Sequence, residues 1–164
     1  MIKRLQLFRG MMFGAASLVL LASCSKEEDA PATTSFLRAK VNGTQFTATL
    51  GGKEMVVAAN MMGMVTITGT NGSMAEGINI VLQDVTQPGT YEITPTSESV
   101  LSYTTGEGSF DTFGCSDAVG TVVVTSIDAN KIAGTFTFTG KKSGDCTFFK
   151  NVTEGSFKAN FMKQ

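Results

Sequence analysis

Short strand-like runs separated by turn dipeptides restrict the fold of this chain more than any other feature. Asn42-Gly43 stands between two such runs, and this dipeptide favours a two-residue hairpin turn because both residues tolerate positive φ. In the run 78–85, apolar residues alternate with Asn79 and Gln83. Alternation with a period of two is the pattern of a half-buried strand. The chain therefore predicts an all-β domain.

Nine such runs occur after residue 35, with turn residues between them. The predicted strands cover residues 36–41, 45–50, 54–59, 64–70, 78–85, 90–94, 121–127, 131–139 and 155–161. This spacing indicates an antiparallel β-sandwich or barrel of roughly nine strands, and periodicity alone does not separate the two. The glycine-interrupted segment 97–118 is expected to be a long loop.

The first 23 residues carry the features of a bacterial signal peptide. Lys3, Arg4 and Arg9 precede an apolar stretch over 11–21, which is too short for a membrane-spanning helix. The stretch ends in Leu21-Ala22-Ser23-Cys24, which resembles the lipobox of bacterial lipoproteins. The resemblance implies cleavage before Cys24 and attachment to a membrane through lipid on that residue. The predicted organisation is a lipoprotein signal peptide over 1–23, a charged tether over 24–35 and an all-β domain over 36–164.

A short charged run follows the predicted lipidation site. Lys26, Glu27, Glu28 and Asp29 resemble the export signal that Bacteroidota lipoproteins use to reach the outer face of the outer membrane. The resemblance implies a lipid-anchored domain that faces the cell exterior. The alternatives are a solvated tether without an address and a domain that faces the periplasm.

Composition excludes several classes of function. Three of the 13 basic residues lie in the signal, which leaves 10 basic residues against 14 acidic ones, a balance that argues against nucleic-acid binding. The chain has no His, the commonest general base and metal ligand, and no Trp for sugar stacking. We expect no cofactor, no metal and no enzymatic activity.

Two cysteines remain after Cys24. In an exported chain, Cys115 and Cys146 most simply form a disulfide, which would tie the irregular segment to the region around residues 143–147. Two inert thiols are the first alternative. A reactive thiol is the second, although no His is present to activate it.

Two groups of side chains allow sharper hypotheses. The loop carboxylates Asp111, Asp117 and Asp145 would gather around Ca²⁺ or form a hydrolase pair if the cysteines joined their loops, and otherwise they are solvated. Five methionines also fall within a short span. Their thioethers suit Cu(I), but core packing is the expected role. They are Met55, Met61, Met62, Met64 and Met74.

A set of strand-and-turn motifs resembles a family of Bacteroidota lipoproteins of unknown function. The motifs are Ala39-Lys40-Val41-Asn42-Gly43, Gly89-Thr90-Tyr91, Ile127-Asp128, Gly134-Thr135-Phe136 and Glu154-Gly155-Ser156-Phe157. The resemblance spans about 36–164 and implies an anchored all-β module. It supplies no catalytic residue.

Together these features predict a membrane-anchored lipoprotein with a non-enzymatic binding or envelope role and an unknown protein or glycan partner. One alternative is a carrier of a small apolar ligand in a β-barrel. The others are a carboxylate-dependent hydrolase and a protease inhibitor that presents the Cys115 region as a rigid loop.

Overall fold

The computed structural model describes residues 34–72 and 75–163, and over these ranges the chain forms strands, turns and bends but no helix. The predicted signal peptide, Cys24, the run Lys26–Asp29 and Met74 lie outside the described residues. The strands, in chain order, are β1 (Phe36–Val41), β2 (Thr44–Thr47), β3 (Thr49–Leu50), β4 (Lys53–Glu54), β5 (Val57–Met61), β6 (Met64–Thr70), β7 (Gly77–Leu82), β8 (Gly89–Ile93), β9 (Val100–Thr105), β10 (Gly108–Asp111), β11 (Val119–Ile127), β12 (Lys131–Lys142) and β13 (Asp145–Asn160). The all-β prediction is confirmed.

Eleven of these strands form one antiparallel sheet that folds into two layers. One layer has the order β2-β1-β13-β12-β11-β8, and the other continues from the far end of β12 through β10, β9, β7 and β6 to β5. The long strand β12 belongs to both layers, because its residues 132–139 pair with β11 and its residues 141–142 pair with β10. Among the described residues, the order of paired strands ends at β2 on one side and at β5 on the other, so the arrangement is a sandwich rather than a closed barrel.

The core lies between the two layers and follows the alternation in the sequence. Ile78, Ile80 and Leu82 are fully buried on β7, and Phe136 and Phe138 are buried on β12. The Asn42-Gly43 hairpin also forms, with φ angles of 47° and 82°. Large side chains fill this interior, which leaves the hypothesis of an apolar-ligand carrier without support.

One glycine allows the core to close at β13. A Cβ built on Gly155 would lie 2.4 Å from the carbonyl oxygen of Phe136 and 2.7 Å from its ring. Real Cβ atoms do not approach that closely, so any larger residue must push the strands or the ring apart. Gly155 is therefore required by packing, on a register shift between β12 and β13.

Two expectations from the sequence are wrong. The segment 97–118 is not a long loop, because β9 and β10 form a hairpin inside it, with Gly106 in the turn and Gly108 at a φ of 121°. The glycines mark the turn rather than an irregular stretch. The expected core role is also wrong for Met55, Met61 and Met62, which are exposed, while Met64 is half-buried.

The sandwich has two ends, which the register of β13 distinguishes. At the tether end, Phe36 pairs with Lys158 and the Asn160 amide donates to the Ser35 hydroxyl. Val41, where β1 finishes, pairs with Val152, and Cys146 lies six residues further towards the start of β13. On the partner strand β12, nine steps lead from Ala133, which pairs with Lys158, to Lys142, which pairs with Asp145. At about 3.3 Å per step, Cys146 therefore lies roughly 30 Å from Lys158. We call the end that holds Cys146 the distal end.

Candidate functional site at the distal end

A disulfide clamps the distal end. Cys115 and Cys146 are bonded, with their Cα atoms 5.8 Å apart and a sequence separation of 31. Cys115 is buried and Cys146 is exposed. The bond ties the loop 112–118 to the first residues of β13, as the cysteine count led us to expect.

The same loop is fixed at its other side. Thr112 is fully buried, and its hydroxyl accepts a hydrogen bond of 3.1 Å from the Leu101 amide. The Gly114 amide donates to the carbonyl of Pro95. With the disulfide, these bonds hold the loop at three points, so side chains on it have little freedom to rearrange.

Three phenylalanines project into solvent beside this clamp. Phe113 is 62% exposed, Phe148 is 58% exposed and Phe149 is 51% exposed. Each lies two or three residues from a cysteine of the disulfide. We call these three side chains the phenylalanine tip. An exposed aromatic group on a rigid support is typical of a binding surface, because it offers apolar area with little entropy left to lose.

Two lysines lie against the tip. The Lys141 ammonium is 5.1 Å from the ring centroid of Phe149, and the Lys142 ammonium is 5.5 Å from that of Phe148. Lys141 is itself buried and forms a 2.7 Å ion pair with Asp117. This hydrogen bond from Lys141 lowers the pKa of the Asp117 carboxyl below its ordinary value. The cation–π contacts help to hold the two rings in place.

The three carboxylates singled out in the sequence do not converge on one site. Asp111 accepts hydrogen bonds from the Ser143 hydroxyl and the Phe113 amide, while Asp117 pairs with Lys141. Asp145 instead accepts a hydrogen bond from the Thr147 hydroxyl, and this bond lowers the pKa of the Asp145 carboxyl.

Within residues 34–72 and 75–163, no group of three or more Cys, Asp or Glu side chains is placed to hold a metal ion. The calcium hypothesis and the hydrolase hypothesis therefore gain no support from these residues.

A polar cavity of about 240 Å³ opens between β2 and β9. Asn42, Gln45, Glu76, Tyr103 and Lys150 contribute polar groups to its lining. Tyr103 is almost fully buried, and its hydroxyl donates to the Glu76 carboxylate. Burial, followed by the nearby Glu76 charge, raises the pKa of Tyr103 to about 12. The hydroxyl therefore stays protonated at physiological pH.

Lys150 connects the cavity to the tip. Its ammonium lies 5.2 Å from the ring centroid of Phe110 and 3.5 Å from a carboxylate oxygen of Glu107. Lys150 is also only two residues from Phe148. The distal end thus places a polar recess beside an apolar projection, a combination that suits recognition of a mixed surface.

The strand pattern in the sequence does not predict the phenylalanine tip, because it indicates a loop around residues 143–147 and gives no role to Phe113. One signal was available: neighbouring residues on a strand point to opposite faces, so Phe148 and Phe149 cannot both face a single core. A Phe-Phe pair at a strand end therefore indicates at least one ring outside the core.

In the part of the chain that the structure describes, no helix has the length and apolarity needed to span a membrane.

Comparison with known proteins gives a family but no function. Neither the curated proteins nor the solved structures include a match to this chain. Residues 33–159 match a family described as a domain of unknown function, DUF6252. Because the match covers most of the 164 residues, the chain belongs to the DUF6252 family.

Proposed function

We propose that this protein is a lipid-anchored, non-enzymatic binding module of the bacterial envelope, displayed on the cell exterior, which holds a protein partner at its distal end. The observation that carries the proposal is the phenylalanine tip, with three exposed rings around a disulfide. The anchor rests on the lipobox at Cys24. The outward orientation rests on the export run Lys26–Asp29.

The position of the tip favours a partner away from the anchoring membrane. The described chain enters at the tether end, beside Lys158 and Asn160, whereas the tip lies about 30 Å along β13 in the other direction. A membrane that holds Cys24 is therefore nearer to the tether end. The tip is left to meet a molecule that approaches from outside.

The chemistry of the tip favours a protein over a glycan. Sugar sites usually stack a pyranose ring on a Trp or Tyr face, and this chain has no Trp. Protein interfaces instead centre on a few buried aromatic anchors with a polar rim. Here three rings form the anchors, and lysines and carboxylates surround them.

Site-specific photo-crosslinking in living cells tests the binding role. A benzophenone amino acid replaces Phe148 in the full lipoprotein, and the matched control carries it at Val123, an exposed apolar position on β11. We expect one discrete crosslinked product from position 148, none from position 123, and loss of the product when Phe149→Ser is added. Equal crosslinking at both positions, or none at position 148, contradicts the proposal.

Protease shaving of intact cells tests the outward orientation separately. We expect an antibody against the mature domain to lose its signal while a periplasmic control protein survives. A domain that resists protease until the outer membrane is permeabilised faces the periplasm, and the reading of Lys26–Asp29 as an export signal is then wrong.

A further inference from the structure

We infer that Met61, Met62 and Met162 form a membrane contact that seats the tether end of the domain on the lipid bilayer. We call these three side chains the methionine patch. The inference rests on the proposed lipid anchor and goes beyond it, because it assigns an orientation to the domain. A tether alone would leave the domain free to tumble above the membrane.

The patch is built on the turn between β5 and β6. Met62 and Gly63 occupy the turn with φ angles of 54° and 89°, and Met61 pairs across it with Met64. The Met162 amide donates a 2.9 Å hydrogen bond to the carbonyl of Ala58 on β5, which brings the end of the chain alongside. Three thioether side chains from two segments therefore share one end of the sandwich.

These side chains are unusually exposed for their chemistry. Met62 is fully exposed at 106%, Met61 is 52% exposed and Met162 is 59% exposed. A turn of this kind ordinarily carries Asn or Gly at the position of Met62, because positive φ is costly for other residues. A strained apolar residue without packing partners has no structural explanation in the sandwich. Burial in lipid removes its apolar surface from water.

The location of the methionine patch indicates that the anchoring bilayer is what it contacts. Ala58 forms a parallel bridge with Phe161, so β5 continues past the end of β13 towards the turn at Met62. The described chain enters at this same end, where Ser35 contacts Asn160. Ten peptide units link Cys24 to Thr34, and a fully extended chain of that length spans at most about 36 Å. A bilayer that holds Cys24 is therefore within reach of the patch.

Charge does not drive this contact. Exposed Lys163 follows Met162 and can extend its ammonium to the headgroups, while Asp84 lies near Gly63 on the neighbouring loop. The Asp128–Lys131 ion pair lies on the adjacent turn. With both signs present, contact depends on apolar surface, so we expect it on uncharged phosphatidylcholine and in high salt.

A fluorescent probe in the lipidated protein tests the inference. Met62→Cys introduces a free thiol, because the other cysteines are the proposed lipidated Cys24 and the Cys115–Cys146 disulfide. The thiol carries an environment-sensitive nitrobenzoxadiazole dye, and Phe148→Cys at the distal end is the matched control. On phosphatidylcholine vesicles, the dye at 62 should brighten several-fold and be quenched by brominated lipid, while the dye at 148 remains in water.

The outcomes separate this inference from the proposed anchor. If the protein floats with the vesicles but the dye at 62 stays in water, the anchor stands and the seating by methionine is wrong. Lipid quenching at both positions also overturns the orientation. If the lipoprotein prepared from cells does not float at all, the anchor itself fails, and with it the proposed function.

Discussion

Removal of the disulfide should destabilise the domain by an amount that its loop length sets. We consider the double variant Cys115→Ala/Cys146→Ala, which frees a segment with a sequence separation of 31. In the chain-entropy treatment, a cross-link of that span lowers the entropy of the unfolded chain enough to contribute about 3.7 kcal/mol at 25 °C. Because Cys115 is buried, its loss also removes apolar contacts. The expected loss is therefore about 4 kcal/mol.

Urea denaturation followed by circular dichroism measures this loss. With a denaturant dependence of about 1.5–2 kcal/mol per molar, the unfolding midpoint should fall by roughly 2 M. Reduction of the wild-type protein by a phosphine should lower the midpoint similarly. Ser116→Ala, an exposed change in the same loop, should leave it in place. The benzophenone crosslink from position 148 should weaken as well, since the loop that carries Phe113 loses its clamp.

A loss below about 1 kcal/mol would refute the reasoning, because the bond would then not constrain the unfolded chain as its span requires. A midpoint that falls in the double variant but not on reduction would also refute it. That result would assign the effect to side-chain packing at positions 115 and 146.

Three further predictions concern packing and titration. Gly155→Ala should lower the free energy of unfolding by about 1–3 kcal/mol. Gly106→Ala places its Cβ with no atom within 4 Å, so its free energy of unfolding should stay within about 1 kcal/mol of wild type. Equal unfolding midpoints in urea for the two variants would contradict the close contact between position 155 and Phe136. Because burial raises the pKa of Tyr103 to about 12, the stability that this residue contributes below pH 10 should be lost as the pH rises from 10 to 12. Unfolding curves of Tyr103→Phe should lack this drop. A drop of the same size in the variant would show that the Tyr103 phenol is not its cause. The pKa of Asp117 should lie below its ordinary value of 3.8, so the contribution of this carboxylate to stability is lost as the pH falls through the lowered value. Carbon-13 NMR should show the pKa of Asp117 returning towards 3.8 in Lys141→Met. An unchanged pKa would refute the pairing of Asp117 with Lys141.

Local patterns explain how much of the fold is visible in the sequence. Alternation places every second side chain of a strand on one face, so the buried set on β7 and the rings of Phe136 and Phe138 follow from residue order alone. Asn42-Gly43 predicts its turn because few other residues accept positive φ. The cysteine count likewise indicates the Cys115–Cys146 bond, since only two thiols remain after Cys24.

Local patterns mislead where glycines have two meanings. Between residues 97 and 118, glycines interrupt the alternation of apolar and polar residues, and this pattern predicts a loop. In the structure the glycines lie in and beside a tight hairpin turn. The pairing of β9 with β7 and of β10 with β12 supplies the hydrogen bonds that this segment needs to be strand. Neither partner is close in sequence, so no local window shows them.

By itself, the sequence determined the all-β class, the main turns and the disulfide, because each depends on neighbouring residues or on composition. Lipidation at Cys24 remains a prediction from the sequence. Only the tertiary structure decided that Phe113 and the Phe148-Phe149 pair share the distal end, and that Met61, Met62 and Met162 share the tether end. Those positions follow from strand pairing across more than thirty residues and from the passage of β12 between two layers. Such pairing is set by the packing of the whole core, which a period of two along one strand does not encode.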